Sequence, residues 1–136
     1  MCTLCEKHEE SIHHLFFQCP NALYIWSWVR QIFLSHFSNK DDLLSFIKSD
    51  GSPLAKLIKL DVITFSILMI WRMRNYAHFQ DKIEVSRAIS VIKDLSCLVR
   101  KSSKATMKND MMDFSVIKFF GINTYTGKVL HPLPVR

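Results

Sequence analysis

Three of the four cysteines of this 136-residue chain fall within residues 2–19, spaced as Cys2-x2-Cys5 and His14-x4-Cys19. No other feature constrains the fold as much. Nineteen residues cannot bury enough apolar surface to hold a shape alone. A metal ion gripped by four side chains can supply the missing free energy, about 10–16 kcal/mol for structural zinc in small peptides near neutral pH. The C-x2-C pair sets two thiolates on one tight turn, and the second pair follows after eight intervening residues. Three sulfurs and one imidazole nitrogen close a tetrahedron around Zn2+ and leave no position open for substrate. The expected site is therefore one structural zinc held by Cys2, Cys5, His14 and Cys19. On spacing alone His13 competes with His14, His8 is also near, and free surface residues without metal are the plain alternative.

The rest of the chain reads as helix. Apolar residues make up 49% of it, with only three Gly and four Pro, a composition that suits a helical core and not a loop-rich or all-β design. Pro20 stands at a favourable first helical position, and Leu23, Trp26, Val29, Ile32 and Phe33 recur at three- and four-residue steps. A short amphipathic helix is expected over Asp41–Lys48, and Asp50-Gly51-Ser52-Pro53 marks the clearest turn. A long helix should follow from Leu54 towards Phe79, apolar nearly all round at its middle, and another near Val85–Lys101. Residues 114–120 form a short apolar run of undefined type. The expected fold is mostly α, with a zinc knuckle over 1–20, a small helical bundle over 21–101 continuing the same domain, and a basic loop and extended, linker-like tail over 102–136. Cys97, alone in a helical pattern, reads as a small buried residue.

The run Cys2 to Val29 resembles the zinc-binding region of plant LINE-type (non-LTR) retrotransposon reverse transcriptases. The resemblance rests on Cys2 and Cys5, Glu10-Ser11, His14-Leu15-Phe16, Cys19-Pro20 and Ile25-Trp26. A second segment, Ile70–Lys82, is similar to a Trp-x-x-Arg-Asn-x-x-x-Phe stretch of the same proteins through Trp71, Arg74, Asn75 and Phe79. The two together span most of residues 2–82. The resemblance implies His14 as the ligand histidine and a role in handling template RNA or target DNA, with nuclear placement. The chain departs from that family's enzymes in lacking a Tyr-x-Asp-Asp aspartate pair. Its scattered carboxylates form no recognisable ribonuclease H grouping, so neither polymerase nor nuclease activity is expected. Met1 directly before the first ligand suggests a piece of a longer ancestral reading frame.

Charge divides the chain. Residues 1–50 carry a balance of −2 and residues 51–136 one of +8, giving the overall +6. Arg72, Arg74, Arg100, Lys101, Lys104 and Lys108 are the candidate phosphate contacts, against the alternative of ordinary solvated cations. Phe16 or Phe17 could stack on unpaired bases, or pack onto the first helix near Tyr24 or Trp28. The aromatic helix over 23–37 offers a protein-partner surface as a competing function. A relic fragment without selected activity is a third reading. No secretory signal, no membrane span and no small-molecule substrate are expected, which places the chain inside the cell with reduced thiols.

Overall fold

The helix that organises the molecule is the longest one, and its sequence explains why. In the computed structural model, which describes residues 1–33, 40–48, 52–79, 82–100, 106–107, 119–120 and 125–126, helix α3 spans Pro53–His78. Ser52 opens it as N-cap: its hydroxyl accepts from the Ala55 amide at 3.1 Å, with Pro53 at the first helical position. Buried residues then recur through its length, from Leu54 and Ile58 through Val62, Ile63 and Ser66 to Met69, Ile70 and Met73. The other helices, α1 (Pro20–Phe33), α2 (Lys40–Lys48) and α4 (Val85–Arg100), pack around it. The chain is thus mostly α, as its composition and periodicity predict.

Each partner helix buries a narrower stripe. Helix α1 turns Ala22, Ile25, Trp26, Val29 and Phe33 inward, the three- and four-residue spacing of one helical face. On α4 the buried set is Ala88, Ile92 and Ser96, one residue per turn and two of them small, which lets the two helix backbones come close. Helix α2 contributes Leu43 and Phe46, and Phe46 meets Phe33 edge-on with ring centroids 5.6 Å apart. Among the described residues no helix is long and apolar enough to cross a membrane.

Three basic side chains pin elements to α3, two from α3 itself and one from α4. Lys59 is buried; its ammonium reaches the Phe46 carbonyl in the last turn of α2 at 3.4 Å and lies 4.7 Å from the Phe46 ring centroid. That position suits a cation, since helix C-termini carry partial negative charge. Arg100, closing α4, grips Asp61 with Nε to Oδ2 at 2.6 Å and Nη2 to Oδ1 at 3.4 Å. The third, Arg74, holds the N-terminal segment and belongs to the site below.

Most of the tail expected over 102–136 lies outside the described residues. Where it is described, it does not run free: Phe119 and Phe120 are helical, and Phe120 is buried. The Cys97 thiol donates to the Phe120 carbonyl at 2.7 Å, and Phe119 packs against Trp28 beneath the Lys93 ammonium. Burial pushes the Cys97 thiol up, so it stays a neutral donor. Thr106–Met107 pairs in parallel with Tyr125–Thr126. The apolar run that sequence left undefined therefore ends as a plug against α1 and α4.

Two hydroxyls in this core, Ser66 Oγ and Ser96 Oγ, are buried without a hydrogen-bond partner among the described residues. A buried unmatched polar group costs roughly 1–3 kcal/mol. Ser66→Ala and Ser96→Ala, each without a volume penalty, should therefore stabilise the fold by about 1 kcal/mol, read as a higher denaturation midpoint in urea. A lower midpoint in both would mean that the hydroxyls do have partners.

Candidate metal centre

Residues 2–19 fold as two turns facing each other. In the first, the Glu6 amide donates to the Cys2 carbonyl at 2.8 Å, and the chain closes further through the Cys2 amide and the His8 carbonyl. Glu6 takes a left-handed conformation, φ 57°, unusual for a residue with a Cβ. The reversal just after Cys5 aims the amides of Lys7 and His8 at the Cys5 sulfur. Amide donors around a sulfur stabilise it as the anion a metal requires.

The second turn is a π-helix, His14–Gln18. Ser11 starts it, its hydroxyl accepting from the His14 amide at 3.0 Å and its carbonyl from the Leu15 amide at 2.9 Å. A regular α-helix would set residues five apart about 140° from each other. The wider turn, closed by the Cys19 amide donating to the His14 carbonyl at 2.7 Å, brings His14 and Cys19 towards one side. Cys19 then serves a second purpose: its carbonyl accepts from the Leu23 amide and launches α1. The Asn21 side chain and amide both approach the Cys19 sulfur.

The result is convergence. One ligand atom from each of Cys2, Cys5, His14 and Cys19 lies within 4.8 Å of the others, and Cys5 Sγ is 3.4 Å from His14 Nε2. Cys2, His14 and Cys19 are buried, while Cys5 is part-exposed. This is a cluster that can hold a metal ion, made of the three cysteines the spacing pointed to and the histidine the resemblance implied. Zn–S bonds of about 2.3 Å put sulfurs about 3.8 Å apart, so the observed spread closes onto such an ion with side-chain shifts of roughly 1 Å. His13 is exposed and packs its ring on Phe17 instead. His8 is outside the cluster, with its ring beside His14 and its Nδ1 3.9 Å from Cys5 Sγ.

Electrostatics within the cluster pull in opposite directions. Burial alone would raise the Cys5 thiol, but hydrogen bonds from His8, the Lys7 amide, His14 and the His8 amide together lower it to about 5. Cys19 is pushed up to about 11, first by burial and then by the negative charge of Cys2 and Cys5, against the donors of Asn21. Three thiolates this close repel each other, and a dication among them removes that repulsion.

The knuckle is held to the bundle by contacts the spacing argument did not anticipate. Glu10 and Arg74 form a two-pronged ion pair, Nη2 to Oε2 at 2.9 Å and Nε to Oε1 at 3.2 Å, with both side chains about three-quarters covered. The Arg74 guanidinium holds the Glu10 carboxyl below the usual carboxylate range. The pair therefore stabilises the docked knuckle in full above that range, and its contribution fades as pH falls through the depressed value. A partly covered, bidentate pair of this kind is worth about 1 kcal/mol. Phe16 stacks on Trp71 with centroids 6.5 Å apart, and Phe17 on Trp26 at 6.3 Å. Both rings thus face the bundle, through Trp71 and Trp26 and not through Tyr24 or Trp28, because the Trp26 indole donates to the Phe16 carbonyl and fixes the turn above it. The signal for this docking was present as Glu10, Trp71 and Arg74, residues the family resemblance quoted without a role.

The basic candidates divide accordingly. Arg74 and Arg100 are committed to Glu10 and Asp61, which argues against phosphate contact by either. Arg72 is exposed. Lys101, Lys104 and Lys108 lie outside the described residues. Of the aromatic helix over 23–37, Trp26 and Phe33 face the core, Leu23 and Tyr24 are exposed, and 34–37 lie outside the described residues. Among the described residues no second group of three or more His, Cys, Asp or Glu side chains converges. Comparison with family models, with curated proteins and with solved structures finds no match to this chain.

With Cys5 ionised and Cys19 protonated at pH 7, metal loading should release fewer protons than the three thiols could yield. Calorimetric titration with zinc at pH 7, in two buffers of different ionisation heat, counts them. Fewer than three is expected; three or more, with none contributed by His14, would contradict an ionised Cys5 at neutral pH. Affinity should fall steadily as pH drops below about 11, where Cys19 takes up its proton, and more steeply below about 5, where Cys5 does too.

Proposed function

We propose that this chain is a non-catalytic zinc-binding module of a LINE-type reverse-transcriptase-like protein, one that assists binding of RNA or DNA. The observation that carries the reading is the convergence of three sulfurs and one imidazole within 4.8 Å. Sulfur-rich sets of this kind suit zinc, and four protein ligands leave no coordination position for substrate. The role of the zinc is to fold residues 2–19 against the bundle.

Support for the family reading is spatial. The two segments quoted for the resemblance are 64 residues apart at Glu10 and Arg74, yet these two side chains meet, and Phe16 of the first segment lies on Trp71 of the second. Residues that look unrelated along the chain make one interface. The nucleic-acid role draws on the +8 balance of residues 51–136 and on the exposed cation Arg72. A reducing compartment such as the nucleus suits free thiols and zinc.

A protein-interaction role is favoured by one feature. Leu23 and Tyr24 expose 42% and 61% of their surface on α1, and Tyr24 borders an open groove with Trp28, Gln31 and Ile89. In that reading zinc staples a scaffold whose partner sits on α1.

Native mass spectrometry of the reduced protein tests the zinc assignment. Wild type and His13→Ala should each carry one zinc, and Cys2→Ala, His14→Ala and Cys19→Ala should carry none. A metal-free wild type in the presence of excess zinc would refute the module, and retention by His14→Ala would refute the ligand set.

A further inference from the structure

The last two turns of α3, with its C-cap residue Phe79, carry an exposed face that neither the core nor the metal cluster uses. Arg72, Asn75, Tyr76 and Phe79 follow each other at helical spacing and line an open pocket of 320 Å3. Phe79 is 75% exposed and Tyr76 45%, a large apolar display for a helix end. Arg72 beside them is exposed and makes no ion pair among the described residues. The composition of this pocket is specific: two accessible aromatic rings, one cation and one amide.

The amide is oriented from behind. Arg74 Nη1 lies 3.2 Å from Asn75 Oδ1, and a guanidinium has only donors, so the oxygen must face it. That leaves Asn75 Nδ2 as the amide's donor in the pocket Asn75 lines. Arg74 is in turn fixed by Glu10 of the knuckle, so a rigid chain of contacts runs from the N-terminal segment to this amide. Every hydrogen-bonding group of fixed role in the pocket is therefore a donor: the Arg72 guanidinium and Asn75 Nδ2.

Aromatic faces with donors and a cation match the chemistry of an unpaired nucleotide. Its base offers a flat ring to stack and acceptor atoms on its edge, and its phosphate offers charge. Duplex nucleic acid fits poorly, because its bases are stacked on each other and out of reach of Tyr76 and Phe79. The carbonyl end of α3 disfavours an anion, so the phosphate belongs at Arg72, nearly two turns back, and the base at Phe79. We propose that the pocket of Arg72, Asn75, Tyr76 and Phe79 binds an unpaired nucleotide of single-stranded RNA or DNA. This rests on the nucleic-acid reading above and narrows it to one strand state and one surface; it uses neither Phe16 nor Phe17, which pack inward.

The test is fluorescence anisotropy of the full zinc-loaded chain with a labelled ten-nucleotide oligouridine, beside a duplex RNA of equal length. Zinc content is measured on every preparation. Single-strand binding tighter than duplex binding is expected. Phe79→Ala and Tyr76→Ala should each weaken it by about fivefold or more, with Phe79→Trp restoring it. Arg72→Gln should lower the slope of log affinity against log salt by about 1. Because these side chains are exposed, unchanged zinc content and circular dichroism separate lost contacts from misfolding. Three results would overturn the proposal: no oligouridine binding by the zinc-loaded wild type, equal affinity for the duplex, or affinity unmoved by the two alanine variants. Displacement of oligouridine by polyglutamate at equal charge would also overturn it, and mark the face as a site for an acidic protein. A wild type that binds no zinc yet shows the Phe79 and Tyr76 effects would refute the zinc module while leaving this pocket standing.

Discussion

Three thiols gathered around one imidazole cannot all ionise unless a cation sits among them, and residues 2–19 are arranged around that constraint. Cys5 is lowered to about 5 by donors aimed at it, while burial and its two sulfur neighbours drive Cys19 up to about 11. The backbone follows the same requirement. A left-handed residue after Cys5 turns amides onto its sulfur, and a π turn brings His14 and Cys19 together. Cys19 links this cluster to the bundle through its own carbonyl, which starts α1. The cluster and the bundle also share one apolar core, since Cys2, Leu15 and Cys19 are continuous with Trp26, Ile70 and Ile92.

Helix α3 is the surface on which the rest assembles, and its polar residues matter as much as its apolar ones. Lys59, Arg74 and, from α4, Arg100 each fasten an element across α3. The distinction bears on function, because a basic sequence balance invites a nucleic-acid reading of every cation. Arginines locked in bidentate carboxylate pairs contribute far less to binding phosphate than their count implies. Of the two arginines on α3, Arg72 is the exposed one, beside the rings of Tyr76 and Phe79.

Much of this was legible in the sequence, for physical reasons. Helix positions followed from the three- and four-residue recurrence of Leu, Ile, Val and Trp, and the start of α3 from Ser52-Pro53, since capping and proline chemistry are local. The three cysteines of the cluster followed from spacing, because a tetrahedral ion imposes short-range geometry on the chain. Spacing could not separate His13 from His14, since adjacent residues differ only in direction; the fold does, by burying one and exposing the other. Nor could it reveal the Glu10–Arg74 clamp or the partners of Phe16 and Phe17, which depend on how two distant segments pack. The docking of Phe119 and Phe120 was hidden for the same reason: seven apolar residues carry too little periodicity to say what they will face.

On the proposed reading, metal binding at Cys2, Cys5, His14 and Cys19 folds residues 2–19 onto the helical bundle. Amide hydrogen exchange of the reduced, zinc-supplied protein, with and without a strong chelator, addresses this directly. The hydrogen-bonded amides of Glu6, Leu15 and Cys19 should be protected with zinc and lose that protection on chelation, while the amides of Met69, Ile70 and Met73 in α3 keep theirs. Protection at Glu6, Leu15 and Cys19 that is the same with and without chelator would mean that residues 2–19 fold without a metal.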